Sequence, residues 1–213
     1  MIITPEILIA GGIYLAYEGV VWGISRWKRW RFEKKTAEFR VKPELTDYDC
    51  ALIERCREVM KSHFPQGIES RLIGMSPAER AGLFQNLVLE LNSVYGLNIT
   101  NIAFLNADEI GYGTCGYYLR ETNSIRFNLD FLSLDDSEIL HEMVNTIFHE
   151  MRHALQYKAV TDSNCNYGTE EQRYLWALNF LNYIPAYIDF AYYQQQILEA
   201  DARQIAELSI KDF

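Results

Sequence analysis

The five residues His149-Glu150-Met151-Arg152-His153, set inside a long periodic run, constrain this chain more than any other feature. Ile139, Leu140, Met143, Ile147, Phe148, Met151 and Leu155 recur at helical spacing. The segment therefore reads as one long helix with an apolar stripe, capped by Asp135, Asp136 or Ser137 and running to about Tyr157. On a helix, residues i and i+4 project from one face a turn apart, so the imidazoles of His149 and His153 can meet one tetrahedral cation. Glu150 lies about 100° around the helix from His149. There its carboxylate can reach a water held by the cation without itself being a ligand.

Zinc suits this donor set, because it lowers the pKa of a bound water to about 7 and lets a nearby carboxylate take the proton. Two histidines leave such a site short of a protein ligand. His63 and His141 lie upstream, and His141 reads as a surface residue at the helix start, so the third ligand is sought downstream among Glu199, Asp201 and Glu207. Glu199 and Asp201 are about 200° apart on a helix, so one metal cannot readily use both. Glu199 is the expected third ligand. Asp201 then becomes either a hydrogen-bond acceptor for a ligand imidazole or a solvated surface charge. Tyr192 and Tyr193 are candidates for donating an O–H to a developing oxyanion, with core packing the plainer role for each. Arg152, on another face of the motif helix, is expected to pair with an acid.

The remaining pattern predicts an α+β fold with a small, mostly antiparallel sheet. Thr46 can cap a helix over Tyr48 to Phe64, and Ser76-Pro77-Ala78-Glu79 combines a capping box with proline at the first helical position, opening a helix to Tyr95. Short extended pieces follow from Asn98, and a turn at Glu121-Thr122-Asn123 predicts a hairpin. If Ile125 to Leu129 forms an exposed strand edge, an extended peptide can add to it. Further helices are expected over 169–183 and 187–209, broken by Pro185. The four cysteines show no CxxC pairing, which removes any sequence argument for a thiolate metal site and favours free thiols over a disulfide.

Charge divides the chain. Residues 1–40 carry seven Lys/Arg against four Asp/Glu, whereas 41–213 carry thirteen against twenty-five, a net of −12. An acidic body repels phosphate backbones and argues against nucleic acid as a partner. Residues 7–24 are apolar apart from Glu18, and SRWKRWRFEKK follows with six basic residues and two tryptophans. This is the outline of an N-terminal hydrophobic helix with an aromatic and basic collar, expected to anchor the chain to a membrane. An interfacial or docking helix and a core helix are the alternatives, since Glu18 and four glycines weaken a span. No basic residue precedes Arg26, unlike a cleaved signal peptide. If the segment spans, the positive charge just after it puts the body on the cytoplasmic side, at the inner face of the membrane. The expected division is residues 1–40 as this helix and 41–213 as the catalytic domain.

The run HEMRHALQY, the tripeptide NYI at 182–184 and the segment YYQQQILEADARQIA at 192–206 together resemble small gluzincin-type HExxH zinc metallopeptidases. In these, a tyrosine-rich segment and a Glu-x-Asp-Ala helix start follow the histidine motif. The hairpin GTCGYYLRETNSIRFN resembles the strand pair lining their substrate cleft. The resemblance covers roughly residues 100–206 and departs at Ile197, where related sequences often carry proline. It implies a zincin-like fold, Glu199 as third zinc ligand, Glu150 as catalytic base, and a peptide or protein substrate. The competing expectation is a non-catalytic, membrane-tethered regulatory or scaffold protein with a structural metal site. That alternative gives no reason for Glu150.

Overall fold

The computed structural model describes residues 24, 26–28, 30 and 44–213. The chain divides into two units, one comprising Pro43–Arg173 with Asp201–Phe213, the other Met1–Lys42 with Tyr174–Ala200.

In the first unit the helix starts follow their capping chemistry. Helix α1 (Asp47–His63) begins at Thr46, whose hydroxyl accepts from the Asp49 N–H while the Asp49 carboxylate accepts from the Thr46 N–H. A short α2 (Ile68–Leu72) precedes α3 (Pro77–Tyr95), where Ser76 and Glu79 make the same reciprocal pair. Helix α3 ends at Gly96 in the left-handed region, φ 63°. Strand β1 (Asn101–Leu105), α4 (Ala107–Ile110), β2 (Gly116–Leu119), β3 (Ser124–Asn128) and α5 (Leu129–Leu132) lead into α6 (Ser137–Thr161), which is N-capped by Asp136. The long motif helix is thus present and extends a turn beyond Tyr157.

The core of this unit is a continuous apolar cluster. It includes Leu52 and Met60 of α1, Phe84, Leu87 and Leu91 of α3, and Met143, Ile147, Phe148 and Met151 of α6. Phe127 of β3 meets Phe84 edge-on at 5.8 Å between ring centroids and stacks on Phe104 of β1 at 5.7 Å. The buried Arg80 guanidinium ties three chain segments by donating to the carbonyls of Leu72, Leu132 and Leu134 and pairing with Asp135. Carbonyls at helix ends need such donors when they are buried.

The sheet corrects two expectations. It is mixed rather than mostly antiparallel: the order is β1-β3-β2, with β1 parallel and β2 antiparallel to β3. The hairpin turn over 120–123 is where the sequence put it. The partner of NIAFL could not be read, because a parallel pair forms through a crossover and leaves no local turn signal. In consequence Ile125 to Leu129 is not an exposed edge. Residues 124–128 form the central strand, bonded on both sides, and β2 is the edge adjoining α6.

Helix α7 (Glu170–Leu181) crosses from the first unit into the second, which also holds α8 (Phe190–Gln195) and the start of α9 (Ile197–Ile210). The helix expected over 187–209 is broken at Gln196, which is extended at φ −62°, ψ 142°. The break has a physical cause. The buried Gln196 amide accepts from the Ile184 N–H at 2.8 Å and from Asn179 Nδ2 at 3.1 Å, and donates to the Ile184 carbonyl at 2.7 Å. Asn179 Oδ1 then accepts the Leu198 N–H, capping α9 from a distance. Within the same unit Lys28 donates to the Tyr183 carbonyl at 3.0 Å.

Residues 24, 26–28 and 30 are helical, with Ile24, Trp27 and Trp30 exposed. The rest of the apolar segment 7–24 and its collar, and with them the expected anchor, lie outside the described residues. Among the described residues no helix is long and apolar enough to cross a membrane.

Candidate metal centre

Helix α6 presents the motif as its periodicity requires. His149 and His153 are half-buried and stand one turn apart, with their Nε2 atoms 3.0 Å from each other and the rings nearly perpendicular, at 86°. Glu150 is almost wholly buried, and one carboxylate oxygen accepts the Tyr118 N–H of β2 at 2.8 Å. Gly116 explains why β2 can lie so close to α6. A Cβ at that position would stand 2.8 Å from the Arg126 carbonyl oxygen and 3.0 Å from the methyl of Thr146, one turn before Glu150. The edge strand thus fixes the orientation of the candidate base.

Arg152 points the other way, into a buried ionic cluster. Its guanidinium donates twice to Asp201, at 2.8 Å and 2.8 Å, to Asp49 at 2.7 Å and to the Tyr167 hydroxyl at 2.7 Å. Tyr167 in turn donates to Asp49 at 2.7 Å. Burial drives the Asp49 carboxyl pKa upward, but Arg152 and the bonds from Thr46 and Tyr167 outweigh it and hold the group below its ordinary value. Burial raises the Tyr167 hydroxyl well above its usual range, with Asp49 adding to the effect. The Arg152 guanidinium is raised by Asp201, Tyr167 and Asp49 against the opposing effect of burial, and stays charged. Arg152 therefore pairs with acids, as expected of it, and in doing so joins α1, α6 and α9.

Asp201 resolves its two readings through a third residue. It is buried, not solvated, and it reaches His153 indirectly: Gln156 Nε2 donates to Asp201 at 2.6 Å, and Gln156 Oε1 lies 2.8 Å from His153 Nδ1. Glu199 stands two residues earlier on the same continuous helix, in its first turn, and is 1% exposed. Its Oε1 accepts the Tyr183 hydroxyl at 2.6 Å. One ligand atom from each of His149, His153 and Glu199 lies within 4.8 Å of the others, so this group could hold a metal ion. Glu207 and the cysteines are not part of it, and among the described residues all four cysteines are free thiols. His141 is exposed.

Tyr192 is buried and its N–H caps onto Asp189, whereas Tyr193 is partly exposed and packs edge-on against Tyr183 at 6.3 Å. Sequence reasoning passed over Gln156, Tyr183, Asp49 and the Tyr118 N–H. Gln156 carried a readable signal, since it falls three residues after His153 on the same helical face. Asp49 and the Tyr118 N–H carried none, because only the tertiary fold brings them to α6. No known protein family, no characterised protein and no solved structure matches this chain.

Proposed function

We propose that this protein is a zinc-dependent peptidase in which His149, His153 and Glu199 hold the metal and Glu150 is the general base. The observation that carries this reading is Glu150 itself. A purely structural metal site needs no base, and here a buried carboxylate, turned by the Tyr118 N–H, adjoins the first histidine. The donor set fits the metal: two imidazoles and one carboxylate leave a fourth position open, as catalytic zinc sites do. The 3.0 Å between the two Nε2 atoms is close to the edge, about 3.3 Å, of a tetrahedron with bonds of about 2.0 Å.

Bound zinc would supply Lewis acidity, making its water acidic and polarising the scissile carbonyl. Glu150 accepts the proton from the attacking water and returns it to the departing amine, and the Tyr118 N–H keeps its carboxylate aimed while it does so. The Tyr183 hydroxyl holds Glu199 in the ligand orientation. Of the two tyrosines considered as oxyanion donors, Tyr193 is the better candidate, because Tyr192 is buried.

The test is hydrolysis of a quenched-fluorescence peptide library by the full chain loaded with zinc. Wild type should cleave a subset of peptides, and Glu150→Gln should lose activity by about 10²- to 10⁴-fold while keeping its metal. Equal cleavage by Glu150→Gln would remove Glu150 from the mechanism. Bound zinc with no cleavage of any peptide would favour the non-catalytic alternative.

A further inference from the structure

We infer that Gln156 is a positioning residue that sets the tautomer of His153, and that the buried Arg152–Asp201 pair dictates how Gln156 does so. This rests on the metal-site reading above and extends it to residues that touch no metal.

Donor and acceptor roles are fixed in turn along a buried chain of side chains. Asp201 receives two bonds from Arg152 and one from Gln156, so its carboxylate acts only as an acceptor here. The side chain of Gln156 is completely buried. A primary amide has one donating and one accepting end. With Asp201 claiming the NH₂ end at 2.6 Å, the carbonyl Oε1 must face His153 Nδ1, which it does at 2.8 Å. An amide oxygen cannot donate, so Nδ1 must carry the hydrogen. The lone pair of the neutral ring is then on Nε2, the atom 3.0 Å from His149 Nε2 and the one that offers itself to a metal.

Flipping the amide would put its NH₂ on Nδ1 and its oxygen against the Asp201 carboxylate. That would repel at one end and force the hydrogen onto Nε2 at the other. Arg152 prevents this by fixing Asp201, and Asp49 and Tyr167 hold Arg152 in turn. Orientation of a ligand imidazole by its second nitrogen is ordinarily worth 10- to 100-fold in metal affinity, roughly. Here the orienting group is an amide relay, which places the carboxylate one residue further away.

The experiment reads the tautomer directly and the metal separately, both on the full chain. In metal-free wild type labelled with ¹⁵N, the ring-nitrogen shifts of His153 should report hydrogen on Nδ1. In Gln156→Leu that preference should be lost, and zinc affinity, measured by competition with a chromophoric chelator, should fall about 10- to 100-fold. Asp201→Asn serves as the second variant: it removes the carboxylate that claims the Gln156 NH₂ end, so the preference of His153 for hydrogen on Nδ1 should weaken. Hydrogen on Nε2 in wild type would overturn the inference even if no variant folds. So would unchanged zinc affinity in a folded Gln156→Leu. Wild type that binds no zinc would instead overturn the metal-site reading, and the tautomer result would still decide this one.

Discussion

The unit around Pro43–Arg173 and the segment Tyr174–Ala200 are held together by different means. The first has a continuous apolar cluster of Leu, Ile, Val, Met and Phe side chains from α1, α3, β3 and α6. The second is organised by buried amides: Gln196 copies the hydrogen bonds of a backbone to satisfy Ile184, and Asn179 starts α9 by accepting the Leu198 N–H. Apolar burial is non-directional and tolerates repacking, while a buried amide is sound only when each of its groups is partnered. The difference matters because a substitution in the first can be absorbed by repacking, whereas one in the second leaves a polar group without its partner.

Breaking the polar device inside the apolar unit should have the largest effect on stability. Arg152→Met would leave the Asp49 and Asp201 carboxylates buried without their cation, and should destabilise the unit by about 3–5 kcal/mol, measured by chemical denaturation. A null effect there would mean that the cluster does not hold α1, α6 and α9 together. Gln196→Ala sharpens the contrast. It strips the Ile184 N–H and C=O of a buried partner, at about 2–3 kcal/mol, so amide hydrogen exchange should accelerate over 179–200 while Phe84, Phe127 and Phe148 keep their protection. Acceleration everywhere would show that the two regions unfold as one.

Acid provides a graded probe. Asp49 has a depressed pKa in the fold, so its contribution is fully present above its unfolded value of 3.8 and is lost as pH falls through the lower folded value. Denaturation midpoints should therefore decline below about pH 4, and Asp49→Asn should flatten that decline. The smallest effect expected is that of Thr46→Ala, about 1 kcal/mol, because it removes one cap and leaves the packing of α1 intact.

The same division explains what could be read from sequence. Thr46, Ser76 and Asp136 mark helix starts by local chemistry, and the periodicity of Ile139 to Leu155 places the histidine pair, so these features need no tertiary information. The parallel pairing of β1 with β3 depends on a crossover and was not legible, which misplaced the sheet edge. The break at Gln196 was missed because glutamine is a good helix former and nothing local predicts that its amide is required by Ile184. Arg152 was expected to meet an acid, but Asp49 lies a hundred residues away and only packing could select it.

The proposed metal centre needs His149, His153 and Glu199 to act together. Elemental analysis of the full chain, purified after zinc loading and removal of excess, tests it most directly alongside the His149→Ala, His153→Ala double variant and Glu199→Ala. One zinc per chain in wild type, none in the double variant and weakened retention in Glu199→Ala are expected. Wild type without metal, or a Glu199→Ala protein that keeps zinc as firmly as wild type, would contradict it.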